Sequence, residues 1–136
     1  MKYFRALFLT LACVPALTGC GPVADITITS GAYIMDIPED SEALTAPCLT
    51  LDDTDGSMQL DSDYLSSYLC TGSYKISDGR LTAVTDDGKY TYIFEIIDEN
   101  TLKFLQTESS EIINIDERSA VPAYDGALFR KVREME

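Results

Sequence analysis

The chain is predicted to be all-β, a small antiparallel meander of about eight strands, and three observations lead there. β-Branched and aromatic residues recur in short runs, apolar and polar residues alternate within the runs, and turn-forming pairs separate them at short intervals. A period of two is the signature of a strand with one buried face, because successive side chains of a strand point to opposite sides.

Ile26 to Ile37 opens the series, and Pro38 to Pro47 follows as a polar, proline-bounded loop. Cys48 to Asp52 and Ser57 to Asp61 flank Asp55-Gly56, and Leu69 to Ile76 and Arg80 to Thr85 flank Asp78-Gly79. Lys89 to Ile97 follows Asp87-Gly88, Thr101 to Gln106 follows Asp98-Glu99-Asn100, and Ala127 to Val132 closes the set. Asp, Asn and Gly tolerate the positive φ of tight hairpins, so successive strands are expected to pair as neighbours. Ser62 to Ser67 reads as one helical turn capped by Ser62; Glu108 to Tyr124 is the least regular stretch, with Glu111 to Ile115 a candidate strand extension.

Alternation also assigns faces. Met58 and Leu60, Tyr74 and Ile76, Leu81 and Ala83, Tyr92, Phe94 and Ile96, and Leu102 and Phe104 are expected to point inward. A closed barrel, which removes exposed sheet edges, is the favoured architecture; a two-sheet β-sandwich uses the same alternation.

The first nineteen residues have the layout of a secretory signal: Lys2 and Arg5, an apolar run from Ala6 to Leu17, then small residues before a cysteine. That run is too short for a transmembrane helix, which needs roughly 17 to 25 apolar residues. Leu17-Thr18-Gly19-Cys20 resembles the bacterial lipobox, whose cysteine receives diacylglycerol and becomes the mature N-terminus. The resemblance implies lipid attachment at Cys20, membership of the bacterial lipoproteins, an extracytoplasmic location and the lipid bilayer as a partner. The expected organisation is a cleaved signal over 1–19, a lipidated N-terminus and short tether over 20–25, and one β domain over 26–136. Gly21 is compatible with an outer membrane or a Gram-positive surface, the latter being favoured. The remaining 117 of 136 residues suit one core.

Within the domain, Gly31-Ala32-Tyr33 and Arg130 look like the first-strand Gly-x-Trp and last-strand arginine of lipocalin-like or calycin-like domains. That likeness implies a cation–π contact between Tyr33 and Arg130. Ser66-Ser67-Tyr68, Gly72-Ser73-Tyr74, Asp86-Asp87-Gly88-Lys89-Tyr90, Tyr92-Ile93-Phe94 and Ser109-Ser110-Glu111 are similar to domains of Gram-positive lipoproteins and accessory domains of β-lactam-sensor-type membrane peptidases. A sensing or binding module is implied, without peptidase chemistry.

Loss of Lys2 and Arg5 takes the formal charge from −13 to −15, which disfavours nucleic acid and anionic lipid headgroups, whose binding needs basic side chains to displace counterions. The chain has no histidine, the usual general base and zinc ligand. Ser-x-x-Lys and Gly-x-Ser-x-Gly are missing too. Carboxylate pairs Asp52 with Asp53, Asp61 with Asp63, and Asp86 with Asp87 fall in or near turns, where solvation is their expected role. Asp53-Thr54-Asp55-Gly56 looks like part of a calcium loop, but its first and twelfth positions would be Leu51 and Ser62, so it reads as a hairpin turn. The expectation is therefore a non-enzyme with no metal and no cofactor.

Two sites are left. Tyr33, Tyr74, Tyr92, Phe94 and Phe104 either line a small apolar pocket or fill the core. Cys48 and Cys70 are a candidate disulfide in an exported chain. Against that pairing, inward Leu49 and Leu51 turn Cys48 outward, whereas Cys70 shares parity with Tyr74. Two strand spacings, about 9.6 Å, also exceed disulfide reach unless Gly72 supplies a bulge. The functional expectation is a membrane-anchored, non-catalytic binding or sensing module for a small apolar ligand or an envelope protein. The alternative is a structural or inhibitory interaction domain.

Overall fold

The computed structural model describes residues 26–62, 69–112, 118 and 120–133. Eight strands are present: β1 (Gly31–Met35), β2 (Cys48–Asp52), β3 (Ser57–Asp61), β4 (Cys70–Ser77), β5 (Arg80–Thr85), β6 (Thr91–Asp98), β7 (Thr101–Phe104) and β8 (Leu128–Lys131). Each pairs antiparallel with its sequence neighbours, and β8 pairs with β1 to close the barrel, so the sandwich alternative is set aside. A short 3₁₀ turn, Gln106–Glu108, occupies what the sequence assigns to the end of β7 and the start of the irregular stretch.

The barrel is held by the alternation that predicted it. Tyr33, Leu49, Leu60 and Cys70 occupy one inward row across β1 to β4, and Leu81, Phe94 and Phe104 another across β5 to β7. All seven are buried. Ile76 is the exception among the inward assignments: its parity is right, since it pairs with buried Leu81, but it is 43% exposed because β3 begins at Ser57, opposite Ser73, and leaves the last residues of β4 without a strand on that side.

Gly72 is not a bulge. The β4 register runs without a break on both sides, and the shift falls between Ile96 and Asp98 on β6. What Gly72 permits is close approach: a β-carbon there would lie 1.9 Å from the Val84 carbonyl oxygen, an impossible contact.

The first predicted strand is also shorter than expected. Residues 26–30 leave the sheet and are held at one end of the barrel, with Ile28 buried. The helical turn expected at Ser62 to Ser67 and most of the extension at Glu111 to Ile115 lie outside the described residues, as do the signal and tether.

Connections divide the barrel into two ends. Residues 53–56, 78–79 and 99–100 turn tightly at one end, and 36–47, 62–69, 86–90 and 105–127 connect strands at the other.

Candidate functional site

At the short-turn end the chain bonds to itself. The Tyr33 hydroxyl donates to the Thr29 carbonyl at 2.8 Å, and the Ser30 hydroxyl donates to the Asp53 carboxylate at 2.7 Å while accepting the Asp53 N–H at 2.8 Å. The Lys131 ammonium donates to the Thr29 hydroxyl, and its stem crosses Gly31 so closely that a β-carbon there would stand 2.6 Å from Lys131 Cε. Burial pushes the Tyr33 phenol up, partly offset by its bond to Thr29; burial and then Asp53 push up Tyr74.

The expected Tyr33–Arg130 contact does not form. Lys131, not Arg130, lies opposite Tyr33; Arg130 sits one position earlier, opposite exposed Ile34. One residue along a strand reverses the face, so Arg130 points to solvent and its Nε meets Asp36 Oδ2 at 2.8 Å. Asp36 raises the Arg130 pKa further.

Four of the five rings assigned to the interior, Tyr33, Tyr92, Phe94 and Phe104, are buried, and Tyr74 is half-buried. Phe94 and Phe104 have centroids 5.3 Å apart, and Phe129, which the sequence reading left out, stands 5.2 Å from Phe94 edge-on and 6.3 Å from Phe104. Such tilted and edge-on pairs contribute about 0.5–1.5 kcal/mol each beyond their buried area. These three phenylalanines pack against one another, as a core does.

Cys48 and Cys70 are both free thiols. The disulfide is corrected by the face argument: Cys48 shares parity with the outward Thr50 and Asp52 on β2, Cys70 is buried on the inward face of β4, and β3 runs between them without a break. Burial raises the pKa of both thiols, so each is held as the neutral S–H.

Of the carboxylate pairs, Asp63 lies outside the described residues and Asp61 ends β3, where it accepts from Gln59 Nε2; the other two pairs supply hydrogen bonds in or beside turns. Asp52 Oδ1 accepts the Thr54 N–H and hydroxyl, Asp86 accepts the Thr71 hydroxyl, and Asp87 Oδ1 accepts the Thr85 hydroxyl and the Lys89 N–H. In the Asp53-Thr54-Asp55-Gly56 hairpin, Asp55 accepts the Ser57 N–H at 2.9 Å, and hydrogen bonding from the Ser57 side chain, then from this N–H, lowers its pKa. Among the described residues, no three His, Cys, Asp or Glu side chains are grouped to hold a metal ion.

The long-loop end is different in kind. A parallel bridge joins Thr45 to Ala120, with the Val121 N–H donating to the Thr45 carbonyl at 3.0 Å. Ala120 and Val121 are buried beneath it, and Ala43, Ala46 and Ala123 pack on the core. Small side chains thus point down, while Leu44 is left 87% exposed and Leu69 63% exposed. Ile37 and Tyr124 are exposed at the same end. Around them stand the exposed carboxylates Glu39, Asp40, Glu42, Asp86 and Glu111. Sequence reasoning missed this surface; the one local signal was an isolated leucine in the otherwise polar 38–47 loop.

Comparison with family models, curated proteins and solved structures gives no match to the chain.

Proposed function

We propose that this chain is an extracytoplasmic lipoprotein, anchored through acylated Cys20, whose barrel is a non-catalytic binding module that engages an envelope protein through its long-loop end. The observation that carries this reading is the pairing of a ring-packed interior with Leu44 and Leu69 standing out of the loops. A small apolar ligand would need the space that Phe94, Phe104 and Phe129 occupy. A protein partner needs an exposed surface, and large apolar side chains with no local packing are what such surfaces bury first. The carboxylates around them favour a partner with a basic face, steered by opposite charge.

Photo-crosslinking tests this in intact cells. A benzoylphenylalanine at position 44 is expected to yield a discrete protein adduct that Leu69→Ser abolishes, while the same probe at Thr82 on the barrel wall yields none. No adduct at 44, together with an apolar molecule retained by the purified protein in native mass spectrometry, would return the function to the barrel interior. Because both leucines are exposed, Leu44→Ser and Leu69→Ser should each change stability by less than about 0.5 kcal/mol.

A further inference from the structure

We infer that the barrel stands on the bilayer by its short-turn end, with Ile76 and Ile97 in contact with the lipid headgroup region and the long loops held outward. The inference rests on lipid attachment at Cys20. Residues 26–30 are fixed to the short-turn end by the Tyr33–Thr29, Ser30–Asp53 and Lys131–Thr29 bonds. Only residues 21–25 separate that segment from Cys20. Six chain steps span on the order of 20 Å at full extension.

That reach decides the orientation. The eight-residue strands β4 and β6 are on the order of 26 Å long, which at a tilt of about 35–45° rises about 18–21 Å along the barrel axis, and the loops add to that height. A tether starting at the short-turn end is too short to run the length of the barrel and bring the loop end to the headgroups.

The surface delivered to the membrane is apolar where it projects. Ile26, Ile76, Ile97 and Val132 are each more than 40% exposed at this end. Ile76 lies where β4 runs on past its pairing with β3, and Ile97 lies at the register shift of β6, next to the Ile96 N–H that donates to the Gly79 carbonyl at 2.8 Å. Their contact with lipid would be weak for a free domain, but a short tether makes it intramolecular and raises its effective concentration. Asp78 and Glu99, at the tips of the adjoining turns, keep the contact at headgroup depth, because burying a carboxylate in hydrocarbon is costly.

The test uses the full chain expressed in a lipoprotein-processing bacterium, with benzoylphenylalanine at 76, 97 or 44, irradiated in its native membrane. Positions 76 and 97 are expected to give several-fold more phospholipid adduct than 44, read by mass spectrometry of tryptic peptides. Inserting a Gly/Ser spacer of about thirty residues after Gly21, with a reach on the order of 30 Å, should erase the difference. Intact mass on the same samples reports acylation of Cys20. An acylated protein with equal lipid adducts at 76 and 44, or with protein adducts at 97, overturns the orientation and leaves the lipoprotein reading standing. An unacylated Cys20 overturns both.

Discussion

At the short-turn end, Gly56 N–H bonds back to the Asp52 carbonyl, Asn100 N–H to the Asp98 carboxylate and the Gly79 carbonyl accepts the Ile96 N–H, and the N-terminal segment is tied down by Thr29, Ser30, Asp53 and Lys131. At the long-loop end, the described parts of connections 36–47 and 105–127 are joined by the Thr45–Ala120 bridge and pack on the core through Ala43, Ala46, Val121 and Ala123. The first end uses its polar side chains on itself. The second uses its small residues for packing and leaves Leu44, Leu69, Tyr124 and a set of carboxylates facing outward. On the proposed reading the two ends divide their tasks: exposed Ile26, Ile76, Ile97 and Val132 of the first face the bilayer, and exposed Leu44, Leu69 and Tyr124 of the second face a partner.

The largest effect should come from the rings between the two ends. Phe94 contacts both Phe104 and Phe129 and is fully buried, so Phe94→Ala is expected to cost about 3–5 kcal/mol in denaturant unfolding. The loss should be the same whether or not the partner surface is intact, since Leu44 takes no part in that cluster. A loss below about 1 kcal/mol would mean that the interior relaxes around the gap, and the contrast between a packed body and a presenting end would weaken.

A smaller effect is expected at the latch. Ser30→Ala removes both bonds between the Ser30 hydroxyl and Asp53, and Tyr33→Phe removes the bond to Thr29, each worth about 0.5–1.5 kcal/mol. Amide exchange should quicken in residues 27–30 and 53–56 and stay unchanged in 43–46. Faster exchange at both ends would show that the ends are coupled rather than independent.

How far the sequence predicts these ends follows from what each depends on. All eight strands and most of the inward rows were legible, because a half-buried strand writes its burial into every second residue. Ile28 alternates with Ile26 as a strand would, but its segment is captured by Asp53 and Lys131, which are 23 and 102 residues from Ser30 and Thr29 and leave no local mark. Ile76 shows the limit of parity: the pattern gives the face, and only the length of the neighbouring strands tells whether the core extends that far. For Arg130 the same rule is unforgiving, since an error of one residue moved it from the core face to the ion pair with Asp36. Gly72 looked like punctuation in the strand, yet what required it was the Val84 carbonyl of the next strand. The exposed leucines were least legible, because the pattern shows which apolar residues have a face to hide on, not which ones are left without one.

The smallest expected effect separates the two ends by pH. Cys48 and Cys70 begin β2 and β4 at the long-loop end, whereas Tyr33 and Tyr74 face the short-turn end near Asp53. All four have folded pKa values raised by burial, so the protein holds their neutral forms more tightly than the unfolded chain does. The sign follows: their contribution is complete below the unfolded pKa and is lost as pH rises, because unfolding then releases protons. Thiols begin to ionise in the unfolded chain near about pH 8.5 and phenols near about pH 10, so Tm should fall in two stages. Replacing both cysteines by alanine should remove the first stage and leave the second. If the first stage persists in that variant, its source is not the thiols of the loop end; if Tyr33→Phe removes the first stage, the assignment of stages to ends is reversed.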